Sequence, residues 1–113
     1  MNTLSLQVTF DCADPHALAR FWAGVLGTEV DDHHEFIGTM LDAGHARPSD
    51  VVIVDGRRAW AEAASCSDPQ GRYPRMLFMV VPEGKTAKNR MHLDLHLDGG
   101  TTAESREAEV ARI

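Results

Sequence analysis

The chain has 113 residues, a net charge of −6 and a pI of about 5.4, with 43% hydrophobic and 25% charged residues. These values predict one globular domain with a modest core. No basic cluster, no membrane-length apolar run and no signal-peptide pattern is found, so we expect neither nucleic acid nor a membrane as a partner. Cys12 and Cys66 are too few for a disulfide framework, which favours a cytoplasmic location.

The N-terminal residues predict a strand followed by a helix. Apolar and polar residues alternate over 4–12, LSLQVTFDC, with the period of a half-buried strand. Asp14 then supplies an N-cap and Pro15 the first helical position. Apolar residues recur at helical spacing as far as Gly27, a typical helix end.

Short strands and loops are predicted in the middle of the chain. The segment 28–41 predicts one or two strands, and 41–50 predicts a loop because it is rich in Gly, Pro and Asp. The apolar run that follows ends at Asp55-Gly56, a pair typical of hairpin turns. Residues 58–65 fit either a short helix or a strand.

Two further strands and a helix are predicted in the C-terminal part. The apolar run 74–84, bounded by prolines, predicts a strand covered on both faces. Residues 91–97, MHLDLHL, alternate strictly and predict a strand with one apolar face. The segment 101–113 predicts a helix with a threonine N-cap.

The order strand-then-helix occurs twice, and the two copies match position by position. Leu6 falls on Met91, Gln7 on His92, and the apolar and polar faces coincide. The second copy ends within its helix, so we expect its later strands to be missing from this chain.

This arrangement resembles the vicinal oxygen chelate superfamily, and within it the glyoxalase-like or bleomycin-resistance-like domains. The resemblance spans nearly the whole chain and implies an α+β fold in which two βαβββ modules curl around a cavity. It implies a single domain, 1–113, with a first module at 1–82 and the start of a second at 88–113. The motifs that carry the resemblance are Asp14-Pro15, Arg20-Phe21-Trp22, Leu26-Gly27, Lys88-Asn89-Arg90 and His92-Leu93-Asp94.

The resemblance also implies a divalent metal ion, held by one side chain from the first and one from the last strand of each module. Gln7 and His92 fall on the two first-strand positions. The last strand of the first module carries LFM at 77–79 where glutamate is expected, and the fourth position would lie beyond Ile113. Two donors are fewer than the roughly four to six that such an ion needs, so we expect an incomplete metal site.

His92, Asp94 and His96 share one face of the predicted strand at 91–97. Two of them can converge on one ion, but we favour a cavity wall or a solvated face because no other ligands support a metal. Arg90 either holds an anionic group of a ligand or forms an ion pair with Asp94 or a neighbouring acid, and we favour the ion pair.

Three other motifs are interpreted as structural. Phe21 and Trp22 recur at helical spacing and are assigned to the core. We do not expect His33-His34-Glu35 to hold a metal ion unless the segment is a loop, because neighbours on a strand point to opposite faces. Cys12, on the apolar face of the first strand, is assigned as a buried small hydrophobe.

Three classes of function remain open. We favour a glyoxalase-like domain that binds a small molecule, for which the net negative charge favours a cationic ligand. A metal-dependent lyase or dioxygenase is the alternative, and a module without a ligand comes third. We also expect a homodimer, with 91–97 or the last helix near the interface. The predicted ligand-binding residues are Gln7, Thr9, Arg90, His92, Asp94 and His96.

Overall fold

The computed structural model describes residues 3–97 and 102–113. They belong to two compact units, Met1–Pro82 and Glu83–Ile113. The second unit contains helix α3 (Ala103–Arg112). Strands and helices together confirm the predicted α+β class. In chain order, the elements of the first unit are β1 (Gln7–Cys12), α1 (Pro15–Leu26), β2 (Glu29–Val30), α2 (His34–Asp42), a 3-10 turn (Pro48–Asp50), β3 (Val51–Val54), β4 (Arg57–Trp60), β5 (Ala63–Ser67) and β6 (Arg75–Val80).

The main sheet of the first unit has four strands in the order β1-β6-β5-β2. The outer strand β1 runs parallel to β6, whereas the pairs β5–β6 and β2–β5 are antiparallel. With α1 as the connection after β1, these elements have the βαβββ order that the resemblance implies. Helix α2 and the two-stranded sheet of β3 and β4 lie between β2 and β5 along the chain.

Helix α1 covers one face of the main sheet and forms the core with it. Ala19 and Ala23, one turn apart, are buried, and their small side chains let the helix axis approach the strands closely. Phe78 of β6 stacks on Phe10 of β1 with ring centroids 5.4 Å apart. The buried core residues are Ala19, Ala23, Ala64, Cys66, Met76 and Phe78.

The sequence predictions for the residues at the edge of this core are confirmed in part. Trp22 is half-buried and packs against the core, and Cys12 does the same. Phe21, however, is 45% exposed and contacts Trp22 edge-on, so its assignment to the core is wrong. It lies on the side of α1 that faces away from the sheet.

The predicted helix at 15–26 is confirmed together with both of its ends. The Asp14 side chain accepts a hydrogen bond from the Ala17 backbone N–H at 3.1 Å, which satisfies one of the donors that a helix start leaves free. Gly27 ends the helix with a φ of 69°, in the left-handed region where a side chain would cause strain.

The hairpin predicted from Asp55-Gly56 is also confirmed. Both residues have positive φ, 51° and 78°, as a two-residue hairpin turn of the I′ type requires. The ambiguous segment 58–65 contains the end of β4, a bend at Ala61-Glu62 and the start of β5, so it is not helix.

Two predicted strands have different bounds or burial. The first begins at Gln7, because its partner β6 begins in register at Arg75 and leaves Leu4 and Leu6 without a neighbouring strand. Strand β6 is not covered on both faces. Phe78 is buried, but Met79 on the opposite face is 42% exposed.

The strands predicted over 28–41 are largely wrong. Only Glu29–Val30 is a strand, and His34–Asp42 is helix α2. Its fully buried Ile37 and the half-buried Met40 and Leu41 have helical spacing. This burial outweighs the weak helix propensity of Gly38 and Thr39.

The strand predicted at 91–97 is wrong as well. These residues are exposed and belong to no strand, and the described part of Glu83–Ile113 contains no strand with which they could pair. The predicted threonine cap of the last helix is confirmed, since the Thr102 side chain accepts from the Ser105 N–H at 3.1 Å. No helix among the described residues is long and apolar enough to cross a membrane.

Replacing Asp14 with alanine is expected to lower the free energy of unfolding by about 1 kcal/mol, because the cap of α1 loses its acceptor. Urea unfolding measures the change. Asp42→Ala is the matched control, since this exposed carboxylate lies at the unfavourable C-terminal end of α2 and its removal should not destabilise the protein. Equal losses for both variants would contradict the capping role.

Candidate functional site

The face of the main sheet opposite α1 carries polar side chains from all four strands. In β1, Val8, Phe10 and Cys12 point toward the helix, so Gln7 and Thr9 point away from it. The parallel register pairs Gln7 with Arg75 of β6. Strand alternation therefore places these two polar side chains side by side.

Arg75 is the centre of a hydrogen-bond network on this face. Its Nη1 donates to Gln7 Oε1 at 2.7 Å, its Nη2 to Ser65 Oγ at 2.9 Å and its Nε to Asp31 Oδ2 at 3.1 Å. The guanidinium is thus fixed by partners from three other parts of the sheet, yet its side chain is still 39% exposed. A planar cation held in this way is preorganised for recognition.

Asp31 supplies the counter-charge and closes the network. Its Oδ2 accepts from Ser65 Oγ at 2.6 Å and from Ser67 Oγ at 3.0 Å, in addition to Arg75. Burial alone would raise the pKa of Asp31, but the hydrogen bonds from Ser65, Ser67 and Arg75 outweigh it and hold the pKa below the ordinary value. Asp31 therefore stays ionised and keeps Arg75 in place. We call these five residues the arginine network: Gln7, Asp31, Ser65, Ser67 and Arg75.

Apolar side chains lie beside the network on the same face. Leu77 and Met79 follow Arg75 at alternate positions of β6, and Thr9 is in register with Leu77. Leu77 is half-buried, Met79 is 42% exposed and Thr9 is exposed. The face thus offers a charged group at one end and an apolar surface next to it.

A cleft of about 210 Å³ opens between α1, β2 and the hairpin of β3 and β4. Its exposed lining is mainly apolar, and Trp60 and Asp31 are among the residues that line it. The His16 ring is fixed there because Nε2 donates to the Trp60 carbonyl oxygen at 2.8 Å. This volume is below the ~300–1,000 Å³ of pockets that enclose drug-sized ligands.

The six predicted ligand-binding residues are divided between the two units. Gln7 and Thr9 lie on the sheet face described above. The others belong to the second unit and are exposed there, where His92 contacts the Asn89 carbonyl oxygen through Nε2 at 3.2 Å. The ion pair expected between Arg90 and Asp94 is not present among the ion pairs of the described residues. A cleft shared by all six stays a prediction. The four residues of the second unit are Arg90, His92, Asp94 and His96.

The motif His33-His34-Glu35 has a structural role, although it lies at the start of α2 and not on a strand. His34 Nδ1 accepts from the Arg58 backbone N–H at 3.0 Å, and the His34 carbonyl oxygen accepts from Arg58 Nε at 3.1 Å. These bonds hold α2 against β4. In the residues described, no three His, Cys, Asp or Glu side chains form a group that could hold a metal ion.

Sequence reasoning missed Asp31 and Arg75. A signal for Arg75 was present, since it is the charged first residue of an otherwise apolar strand. Its role depends on the parallel pairing of β1 with β6, which joins positions 68 residues apart. Such pairing is not readable from one sequence.

The model of the glyoxalase-like domain family matches residues 7–113. The chain therefore belongs to this family, as the resemblance predicted. No curated protein and no solved structure matches it.

The residues of the first unit do not fit the divalent metal that the resemblance implies. Gln7 lies at a first-strand ligand position, but its amide oxygen already accepts a hydrogen bond from the Arg75 guanidinium. At the end of the module, Leu77 and Met79 are the outward residues of β6, and neither replaces a carboxylate ligand. The Arg75 guanidinium thus binds the oxygen that a divalent metal ion would need as a ligand.

Replacing Asp31 with asparagine tests the arginine network. The free energy of unfolding at pH 7 is expected to fall by about 1–2 kcal/mol, at the low end for charged hydrogen bonds because water screens the partly exposed Arg75. Since the pKa of Asp31 is lowered in the fold, the advantage of the wild type is complete above the ordinary aspartate pKa of about 3.9. It is lost as the pH falls through the lower folded value.

Urea unfolding of both proteins between neutral pH and about pH 2 measures this difference, provided that both remain folded without urea. Asp11→Asn is the matched control, because Asp11 lies on the same sheet face and is exposed. Its replacement should change stability by less than about 0.5 kcal/mol. A difference between wild type and Asp31→Asn that does not depend on pH would contradict the role of the Asp31 charge.

Proposed function

We propose that the protein is a glyoxalase-like domain that binds a small organic molecule on the sheet face opposite α1, without a metal ion. The observation that carries this proposal is the hydrogen bond of 2.7 Å from Arg75 Nη1 to Gln7 Oε1. Through this bond, Gln7, which lies at the first-strand metal-ligand position, is paired with the cationic side chain of Arg75.

Electrostatics supports a site without metal. A divalent ion about 4 Å from a guanidinium is repelled by ~2 kcal/mol in bulk water and by ~8 kcal/mol at an effective dielectric constant of about 20. The lower value is closer here, because Arg75 is 39% exposed and Asp31 offsets part of its charge. The shortage of donors is therefore the stronger argument, since a neutral amide such as that of Gln7 is a weak ligand.

The composition of the sheet face supports a small organic ligand. A fixed polar group at Arg75 gives orientation, and Leu77 with the exposed Met79 gives apolar contact. Binding sites for small molecules combine these two elements. The predicted residues Gln7 and Thr9 belong to this surface. Arg90, His92, Asp94 and His96, which belong to the second unit, stay predicted ligand-binding residues.

Addition of Zn²⁺, Ni²⁺, Mn²⁺ or Fe²⁺ is expected to leave the midpoint of thermal unfolding unchanged, and elemental analysis of the tag-free protein should find no stoichiometric metal. His92→Ala is measured in parallel, because His92 is the second predicted ligand. Near-stoichiometric metal that disappears in His92→Ala or Gln7→Ala would overturn the proposal and support the alternative, a metal-dependent lyase or dioxygenase.

We further propose that the protein forms a homodimer and that 91–97 lies at its interface. Four large apolar side chains alternate along this segment and are 42–70% exposed. Large apolar side chains that are exposed in this number favour association in water. The side chains are Met91, Leu93, Leu95 and Leu97.

Sedimentation of the wild type is expected to show a dimer, and Leu93→Ser combined with Leu95→Ser should shift it toward monomer. The control is His92→Ser combined with Asp94→Ser, which changes polar positions of the same segment and should retain the dimer. A monomeric wild type at high protein concentration would count against the proposed interface.

A further inference from the structure

We infer that the ligand of this sheet face carries a carboxylate, which the Arg75 guanidinium binds through two parallel hydrogen bonds, next to an apolar body that contacts Leu77. This inference rests on the proposed function and adds the chemical class of the ligand. It follows from the number and position of the N–H groups that the network leaves available.

A guanidinium has five N–H groups, one on Nε and two on each terminal nitrogen. The network uses one from Nε, one from Nη1 and one from Nη2. One N–H on each terminal nitrogen is left with no acceptor among the described residues. Two N–H groups on the two terminal nitrogens match the two oxygens of a carboxylate.

The arginine network holds this pair of donors in one orientation, unlike the donors of a mobile arginine on the surface. Asp31, Ser65 and Gln7 each bind a different nitrogen of Arg75, so the orientation of the guanidinium plane is fixed before a ligand arrives. Ser65 is only 1% exposed and holds its place between Arg75 and Asp31. A fixed donor pair loses little entropy on binding, which is what preorganisation contributes to affinity.

The acids near the site limit how the ligand can lie. Asp31 takes the Nε side of Arg75, so the carboxylate approaches the terminal nitrogens. Asp11 is on the same face of β1 but four residues from Gln7, about 13 Å along the strand. That distance exceeds the screening length of ~8 Å at physiological salt, so Asp11 repels a carboxylate at Arg75 only weakly.

The net charge of −6 favours a cationic ligand, as the sequence predicted, but this effect acts at long range and is screened. Two charge-assisted hydrogen bonds at contact distance are stronger than that general attraction. The local donors therefore decide the charge of the bound group, and the net charge affects mainly the rate of encounter.

The apolar part of the ligand is assigned by the row of side chains along β6. Leu77 lies two residues from Arg75, about 6.6 Å along the strand, and the exposed Met79 follows at twice that distance. A chain of six carbons reaches from the guanidinium to Leu77. Hexanoate is therefore a suitable probe.

The test measures the binding of hexanoate, hexanamide and hexylamine to the full chain at pH 7 by amide chemical-shift titration. The probes share one apolar chain and differ only in the polar group. Hexanoate should bind about tenfold more tightly than hexanamide, the difference expected for a charge-assisted hydrogen bond, and hexylamine should bind most weakly. The shifts should lie in β1 and β6.

Two variants test the role of Arg75 itself. Arg75→Lys keeps the charge but loses the paired N–H groups, so hexanoate affinity should fall about tenfold while hexanamide affinity changes little. Gln7→Glu leaves Arg75 in place and puts a carboxylate beside it, which should compete with hexanoate. If Arg75→Lys does not fold, the Gln7→Glu variant still tests whether hexanoate binds at Arg75. Arg72→Lys, at an arginine 50% exposed and paired with Asp68, is the control that should bind hexanoate normally.

The outcomes separate this inference from the proposed function. Equal binding of hexanoate and hexanamide would show that the ligand need not carry a carboxylate. Normal hexanoate binding by both Arg75→Lys and Gln7→Glu would show that Arg75 does not bind it. In either case the proposed function, binding without a metal ion, would still stand. Absence of hexanoate binding would also overturn the inferred carboxylate. If, in addition, a divalent metal binds stoichiometrically, the proposed function is wrong as well.

Discussion

The ion pair between Asp31 and Arg75 is the interaction on which the polar face of the sheet depends. Asp31 follows the edge strand β2, Arg75 begins the inner strand β6, and Ser65 and Gln7 bring in β5 and β1. One guanidinium thus joins all four strands on the face that α1 does not cover. Without the carboxylate, Arg75 would lose its counter-charge and the acceptor of Nε, and Ser65 would lose its own acceptor. Such partly satisfied networks are costly.

The same interaction is the basis of the proposal that the protein works without the metal ion that the family resemblance implies. A divalent ion needs oxygen ligands and a guanidinium needs oxygen acceptors for its N–H groups. The amide oxygen of Gln7 can serve only one of the two well. Here it serves Arg75 at 2.7 Å. Under the proposed function, the cation that orients a ligand is the Arg75 guanidinium, which would recognise the ligand through its N–H groups. Binding, and not metal-assisted chemistry, is the function that this arrangement favours.

The local parts of the fold were predictable, whereas the parts set by distant contacts were not. Helix α1 and the hairpin turn at Asp55-Gly56 follow from nearby residues, so the sequence predicted both. Helix α2 was missed because it has no side-chain cap at His33 and its helical character depends on burying Ile37. Position 7 was predicted as a site residue from the resemblance, but Arg75 was not, because the parallel register of two distant strands brings them together. Alternation at 91–97 predicted a strand that lacks a partner among the described residues, which shows that pattern alone does not supply the second half of a ladder.

The most direct measurement of the central claim is the nitrogen-15 NMR signal of the Arg75 Nε–H group, assigned by its loss in Arg75→Lys. If Asp31 holds the guanidinium, this proton exchanges slowly compared with that of Arg47, whose side chain is 83% exposed, and the signal does not change when Zn²⁺ is added. Rapid exchange like that of Arg47, or a signal that Zn²⁺ shifts or broadens, would show that Arg75 does not occupy the place assigned to it.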